Sequence, residues 1–142
     1  MIRHANENDA STIHELLKQI VTLHHKLYPE DFPNSEPKYE LEQVVALIND
    51  ETKTVLVYEE DNTVWGYLIG WNNKDFFFID DLCVDENKRG HSIGKQLVDY
   101  IEESLNISHI QLNVWLKNTG ALSFYERLGF ETLKYVLRKK KN

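Results

Sequence analysis

The chain has 142 residues, is 42% hydrophobic and 11% aromatic, and holds a single cysteine, Cys83; it is of one-domain size, can bury a sizeable core, and has neither an intramolecular disulfide framework nor a cysteine-rich zinc site. The formal charge is −7, and without Arg138, Lys139, Lys140 and Lys141 of the terminal RKKKN the remaining 12 Lys+Arg face 23 Asp+Glu, a body of −11 that repels nucleic acid. The opening MIRHANENDA lacks an apolar signal core and no segment reaches bilayer-spanning length, so the expectation is one cytoplasmic domain, residues 1–142, with no nucleic-acid or membrane partner and a solvated basic tail; a homodimer is left open.

In chain order, MIRHA reads as a short first strand, and Asn8 or Asp9 as the cap of a helix bearing Ile13, Leu16, Leu17, Ile20, Val21 and Leu23 that ends near Tyr28 and Pro29. All three prolines fall in 29–37, an irregular loop, and Leu41, Val44, Val45 and Ile48 mark a second helix. Strands are predicted over 53–59, 63–71 and 75–84, separated by short turns at Asp61-Asn62 and Asn72-Asn73-Lys74, which makes them an antiparallel meander. Ile93, Leu97, Ile101 and Leu105 give a third helix with one apolar stripe; 109–115 alternates as a strand, 120–128 is a fourth helix capped by Gly129, and FETLKYVLR, 130–138, is a last strand. The fold class is therefore α/β, a mixed sheet in the order β-α-α-β-β-β-α-β-α-β, with the strands of the 75–115 crossover parallel.

The stretch DENKRGHSIGKQL, 85–97, sets two glycines and three cations at a strand-to-helix junction. A helix starting near Ser92 offers unsatisfied N–H groups and a positive dipole end, and phosphate is the obvious guest. The P-loop needs four residues between its glycines, whereas Gly90 and Gly94 enclose three, and Lys95 is followed by Gln96; GxGxxG is absent.

Arg89-Gly90-His91-Ser92-Ile93-Gly94 instead resembles the pyrophosphate-binding motif of the GNAT family of acyl-CoA-dependent N-acyltransferases, Arg/Gln-x-x-Gly-x-Gly/Ala, with Ser92 in place of the middle glycine. Serine is small, caps helices and adds a donor, so weaker or repositioned cofactor binding is expected rather than its loss. Residues 118–130, NTGALSFYERLGF, match the family's second motif, N-x-x-A-x-x-F-Y-x-x-x-G-F, at every specified position. The two motifs stand in the family's order, cover 75–130, and the element order carries the resemblance over the whole chain.

The resemblance implies a GNAT-like fold whose central strands splay, so that acetyl-CoA lays its pantetheine arm in the cleft against Leu82, Cys83 and Val84. Its pyrophosphate would be wrapped by Arg89, Gly90, His91, Ser92, Ile93, Gly94 and Lys95, and Asn118 would contact the cofactor arm. It also implies Tyr125 as the acid that protonates the departing thiolate, a backbone N–H near Cys83 as donor to the carbonyl oxygen, and Asp80 as the base. Asp80 and Asp81 are adjacent in a strand and are expected to point to opposite faces.

Cys83 itself reads better as a small packed side chain than as a nucleophile, and His24 and His25 point apart while the other histidines are scattered, so no metal site is expected. The acceptor side, spanning the first helix, the proline loop and the second helix, holds Glu30, Asp31, Glu36, Glu40 and Glu42 with Tyr28, Phe32 and Tyr39. Acid beside aromatic suits a cationic amine, and a solvated acidic face explains the same residues. A small-molecule primary amine such as a polyamine, aminoglycoside or amino acid is the favoured acceptor. A protein or peptide acceptor and a catalytically silent acyl-CoA-binding module are the alternatives.

Overall fold

The computed structural model describes every residue of the chain except Ser35, which lies within the expected proline loop. Five strands form one sheet in sequence order: β1 Ile2–His4, β2 Thr54–Glu60, β3 Thr63–Asn73, β4 Phe76–Val84 and β5 His109–Leu112. The first three pairings are antiparallel and the last, β4 with β5, is parallel. Four helices flank the sheet: α1 Ala10–Leu27, α2 Leu41–Asn49, α3 Ile93–Ser104 and α4 Thr119–Arg127. The expected meander and its parallel crossover are both present. The β2–β3 connection is a two-residue turn in which Asp61 (φ 54) and Asn62 (φ 60) are both left-handed, a twist that matches that of the flanking strands.

Alternation along the strands divides the core between two faces. Val55, Val57, Tyr67, Ile69 and Cys83 point to one side, where Ile13, Leu16 and Leu17 of α1 and Val44 of α2 cover them. Leu56, Leu68, Phe77 and Ile79 point to the other, under Ile93, Leu97, Val98 and Ile101 of α3. The stripe at four-residue spacing in α3 thus buries one helix face. Arg3 fastens β1 to the start of α1 and to β2, donating to Asp9 at 2.8 and 3.0 Å and to Glu59 at 2.6 Å. Burial alone would raise the Asp9 carboxyl, but Arg3 and the Asn6 N–H hold it below its ordinary range.

Two details differ from the sequence reading. The strand expected over 109–115 stops at Leu112, and the last strand expected over 130–138 does not form: residues 131–142 are exposed and pair with no strand. Gly129 closes the end of α4 at φ +97, the Phe130 N–H donates to the Tyr125 carbonyl at 3.0 Å, and Phe130 still packs on the core before the chain runs on exposed. No helix among the described residues is long and apolar enough to cross a membrane.

Candidate active site

On its β3 edge β4 is paired from Phe76 to Val84, but on its β5 edge the pairing runs only from Phe76↔His109 to Ile79↔Leu112. Beyond that point the two strands part, and the edge of residues 80–84 that faces β5 has no strand partner among the described residues. The register against β3 slips at the same place: Ile69 pairs with Asp81, while Gly70 pairs with Ile79. Asp80 is the extra residue, a β-bulge that bends the strand and deepens its twist.

The bulge corrects the expectation that Asp80 and Asp81 face opposite ways. Asp81 shares the face of its cross-strand partner Ile69 and of Cys83, toward α1 and α2. Asp80 also turns that way. Its Oδ1 accepts from Lys38 Nζ at 2.9 Å and its Oδ2 from the Tyr39 hydroxyl at 2.5 Å; Lys38 also donates to the Asp80 carbonyl at 3.2 Å. Both Lys38 and Tyr39 lie in the connection between α1 and α2.

Asp81 is closely surrounded by protein atoms although part of its surface reaches solvent. Burial pushes its carboxyl up to about 6, Asp80 adds to the shift, and Lys38, the buried Tyr67 hydroxyl and the Leu82 N–H oppose it. The Tyr67 hydroxyl interacts with Asp81 without forming a well-made hydrogen bond. Tyr125, 9% exposed, lies in the same neighbourhood: burial first, then the charges of Asp81 and Cys83, push its phenol well above the ordinary tyrosine value, so it stays protonated at any working pH. Its ring is held edge-on between Phe124 at 5.0 Å and Phe130 at 5.3 Å. Cys83 is buried, its thiol pushed up to about 12 by burial and then by Asp81, and it donates to the Leu16 carbonyl at 3.6 Å. A thiol so placed is a packed side chain and no nucleophile.

The junction after β4 forms a shallow cradle. Asp85 caps a 3-10 turn over Glu86–Lys88 by accepting from the Asn87 N–H, and Arg89, Gly90, His91 and Ser92 follow on the surface. Gly90 (φ +87) and Ser92 (φ 63, ψ 17) are both left-handed, and α3 begins at Ile93. Ser92 makes no side-chain cap bond, contrary to the capping expected of it. The motif's glycine at that position has a conformational reason, and the serine adopts the same backbone with strain. Gly94 is buried, and a Cβ there would stand 2.8 Å from the Phe124 ring. Its missing side chain therefore lets α4 pack on α3, joining the two sequence motifs directly. Lys95 is paired with Asp99 at 2.6 Å, while Arg89 has no ion pair among the described residues. Left-handed residues ahead of a helix N-terminus, with a free guanidinium beside them, suit an anion. Asn118 caps α4, its side-chain oxygen accepting from the Ala121 N–H at 3.2 Å.

Across the opening stands an aromatic wall that the sequence showed only in part. Trp115, just past β5, packs on Tyr28 at 4.8 Å and Phe32 at 5.2 Å, and His24 stacks on Phe32 at 4.9 Å. Burial and then the Lys38 ammonium hold His24 below its ordinary value. Of the acids expected on this side, Asp31 is paired with Arg138 at 2.6 Å and Glu30 with Lys140, so the tail's cations neutralise part of the wall. Lys38 was not singled out in the sequence; a lysine in a proline-rich loop carries no local signal of the partner it will meet. No cluster able to hold a metal ion occurs among the described residues.

A model of the Acetyltransferase (GNAT) family matches residues 17–130. The peptidyl-lysine N-acetyltransferase YjaB of Salmonella typhimurium is 32% identical over 103 residues, which are 71% of this chain and 66% of that protein. A crystal structure of a mutant BH1408 protein from Bacillus halodurans superposes with a TM-score of 0.91 at 26% identity, over 100% of this chain and 99% of that one. PaiA N-acetyltransferase from Thermoplasma acidophilum, crystallised with coenzyme A, superposes at 0.84 with 20% identity, over 96% of this chain and 92% of that one.

Two outcomes follow from the strained and buried groups. Ser92→Gly relieves the left-handed serine and should raise the unfolding free energy by about 0.5–1 kcal/mol in urea titration; a loss of stability would show that the Ser92 side chain makes a contact of its own. Because the Asp81 carboxyl binds its proton more tightly folded than unfolded, its contribution is favourable at low pH and is lost as pH rises from about 4 through about 6. Asp81→Asn should therefore raise stability at pH 8 by on the order of 1–3 kcal/mol and leave it nearly unchanged at pH 4. Equal gains at both pH values would contradict the raised carboxyl.

Proposed function

Because the chain belongs to the GNAT acetyltransferase family, we propose that it moves an acetyl group from acetyl-CoA to a primary amine by direct transfer in a ternary complex. The single observation that carries this reading is the convergence on one opening of an unpaired β4 edge, an anion cradle at the start of α3, and two proton-handling groups, Asp81 and Tyr125.

The residues present fit an acyl-CoA. The free edge at Leu82, Cys83 and Val84 can pair with the amides of a pantetheine arm as an added strand would. Gly90 through Lys95 present backbone N–H groups and Arg89 a free cation to the pyrophosphate. The Asn118 oxygen is used in capping α4, so a contact with the cofactor arm would come from its amide nitrogen. Acetyl-CoA supplies the acyl group already activated as a thioester.

Asp81 takes the proton that an alkylammonium must lose before its nitrogen can attack, directly or through one water. We assign this role to Asp81 in preference to Asp80, because both oxygens of Asp80 already accept from Lys38 and Tyr39, while a carboxyl raised to about 6 is matched to accepting a proton near neutrality. A backbone N–H of β4 near Cys83 donates to the carbonyl oxygen as negative charge develops on it. Tyr125, kept protonated by its burial, gives a proton to the sulfur as the carbon–sulfur bond breaks; the nitrogen, now bonded to the acetyl carbon, sheds its extra proton through solvent as the amide forms, and that proton restores the phenol.

A small-molecule amine is the acceptor the aromatic wall suits, with Tyr28, Phe32 and Trp115 offering faces to a cation. One contact favours a second reading, a lysine of a peptide or protein: Lys38 lays its own ε-ammonium on Asp80 at the bulge, and the name of the Salmonella relative points to the same acceptor class. A silent acyl-CoA-binding module would bind CoA through the same cradle and turn nothing over.

Purified protein, acetyl-CoA and a panel of diamines, aminoglycosides, amino acids and lysine peptides, read by thiol release, test the reading. Rapid release with at least one amine is expected. With that amine, Tyr125→Phe should keep CoA affinity and lower kcat roughly 10²-fold, and the rise of kcat around pH 6 should disappear in Asp81→Asn. Tight CoA binding with no release from any amine would favour the silent module.

A further inference from the structure

The chain holds a primary amine of its own inside the candidate site. Half of the Lys38 side chain is in solvent, yet its ammonium turns inward to the Asp80 carboxylate, which is only 11% exposed. Lys38 Nζ donates to Asp80 Oδ1 at 2.9 Å and to the Asp80 carbonyl at 3.2 Å, at the bulge where β4 parts from β5. Burial raises the Asp81 carboxyl, and the Lys38 charge is the strongest influence opposing it. The ammonium therefore stands beside both carboxylates, at one end of the free edge of residues 80–84.

Among the described residues Lys38 is the lysine whose ammonium donates to β4. Lys95 and Lys140 pair with Asp99 and Glu30, and Lys117 lies over the Tyr28 ring on the aromatic wall. Two residues separate the Asp80 carbonyl from the Cys83 N–H that would hold the thioester oxygen, a span of roughly 7 Å in an extended strand. A flexible four-carbon stem anchored only at its head can swing that head along the strand.

We propose that Lys38 is acetylated by its own chain, an inference that rests on the acetyl transfer proposed above. The ammonium gives a proton to Asp81, directly or through one water, and Nζ attacks the thioester carbonyl carbon. As the nitrogen–carbon bond forms, the carbon–sulfur bond breaks and the sulfur takes the Tyr125 proton, leaving as the thiol of coenzyme A. The nitrogen's extra proton passes through solvent and restores the phenol. The product is a neutral amide, so Asp80 and Asp81 lose the cation that faced them.

Site-resolved mass spectrometry of the full chain, incubated with acetyl-CoA and no added amine, tests this. Lys139, on the exposed tail, reports the uncatalysed reaction of a solvent lysine. Lys38 should gain its acetyl group at least about tenfold faster than Lys139, because it is held in place, at a rate per chain unchanged by dilution. Tyr125→Phe should bring Lys38 down toward the Lys139 rate, and Lys38→Arg should abolish the single equivalent of thiol that wild type releases without an added amine. Coenzyme A itself, which carries no acyl group, should shield Lys38 but not Lys139 from an amine-reactive succinimidyl ester. If coenzyme A binds by calorimetry and Lys38 is acetylated no faster than Lys139, or at a rate proportional to protein concentration, the self-acetylation is overturned and the acetyltransferase reading stands. Bound coenzyme A that leaves Lys38 as reactive as before also overturns it, by placing the ammonium outside the site. Absence of coenzyme A binding defeats both.

Discussion

One extra residue in β4 sets the geometry of the candidate site. Asp80 has no partner of its own in the ladder between Ile69↔Asp81 and Gly70↔Ile79, and the bend it imposes coincides with the end of parallel pairing at Ile79↔Leu112. Were β4 regular, alternation would send one of the two aspartates into the aliphatic face under α3, and an edge paired along its length would leave no main-chain groups for a ligand. The irregularity instead places both carboxylates on the α1–α2 side and leaves residues 80–84 half-paired.

The two faces of the sheet divide the work accordingly. The α3 side is aliphatic, with Leu56, Leu68, Ile93, Leu97 and Ile101 buried to 2% exposure or less, and it supplies the rigid backing. The α1–α2 side takes the titratable groups, and burial there displaces each one: a carboxyl is raised toward neutrality, a phenol is kept protonated and a thiol is kept inert. Phe124 joins the halves. By lying on the bare backbone of Gly94, it couples the helix that carries Tyr125 to the start of α3, so the phenol and the proposed cradle are positioned by one packing contact.

Much of this was legible in the sequence, and the exceptions share a cause. The meander followed from the Asp61-Asn62 and Asn72-Asn73-Lys74 turns, the helices from their apolar spacing, and the family resemblance from two motifs covering 75–130. Periodicity describes regular structure, so it could not reveal the bulge at Asp80 or, through it, that Lys38 and Tyr39 bond to Asp80 and not to Asp81. Nor does a serine advertise the left-handed backbone it occupies at Ser92, where the resemblance pointed only to a missing glycine. The stretch 130–138 was read as a strand because its side chains ask for one. Whether a partner edge lies within reach is a property of the whole fold, which no local pattern encodes. Lys38, Trp115 and the pairing of the tail with Glu30 and Asp31 are contacts between distant parts of the chain and became visible only with the fold.

Amide hydrogen exchange with and without coenzyme A tests the central claim most directly, that the parted β4 edge and the α3 start form one acyl-CoA site. Main-chain N–H groups without partners exchange quickly in the free protein and are protected when a ligand pairs with them. Protection appearing together within residues 82–84 and 90–95 is the expected result. Saturating binding that leaves both stretches unprotected, or protects only residues elsewhere, would contradict the account.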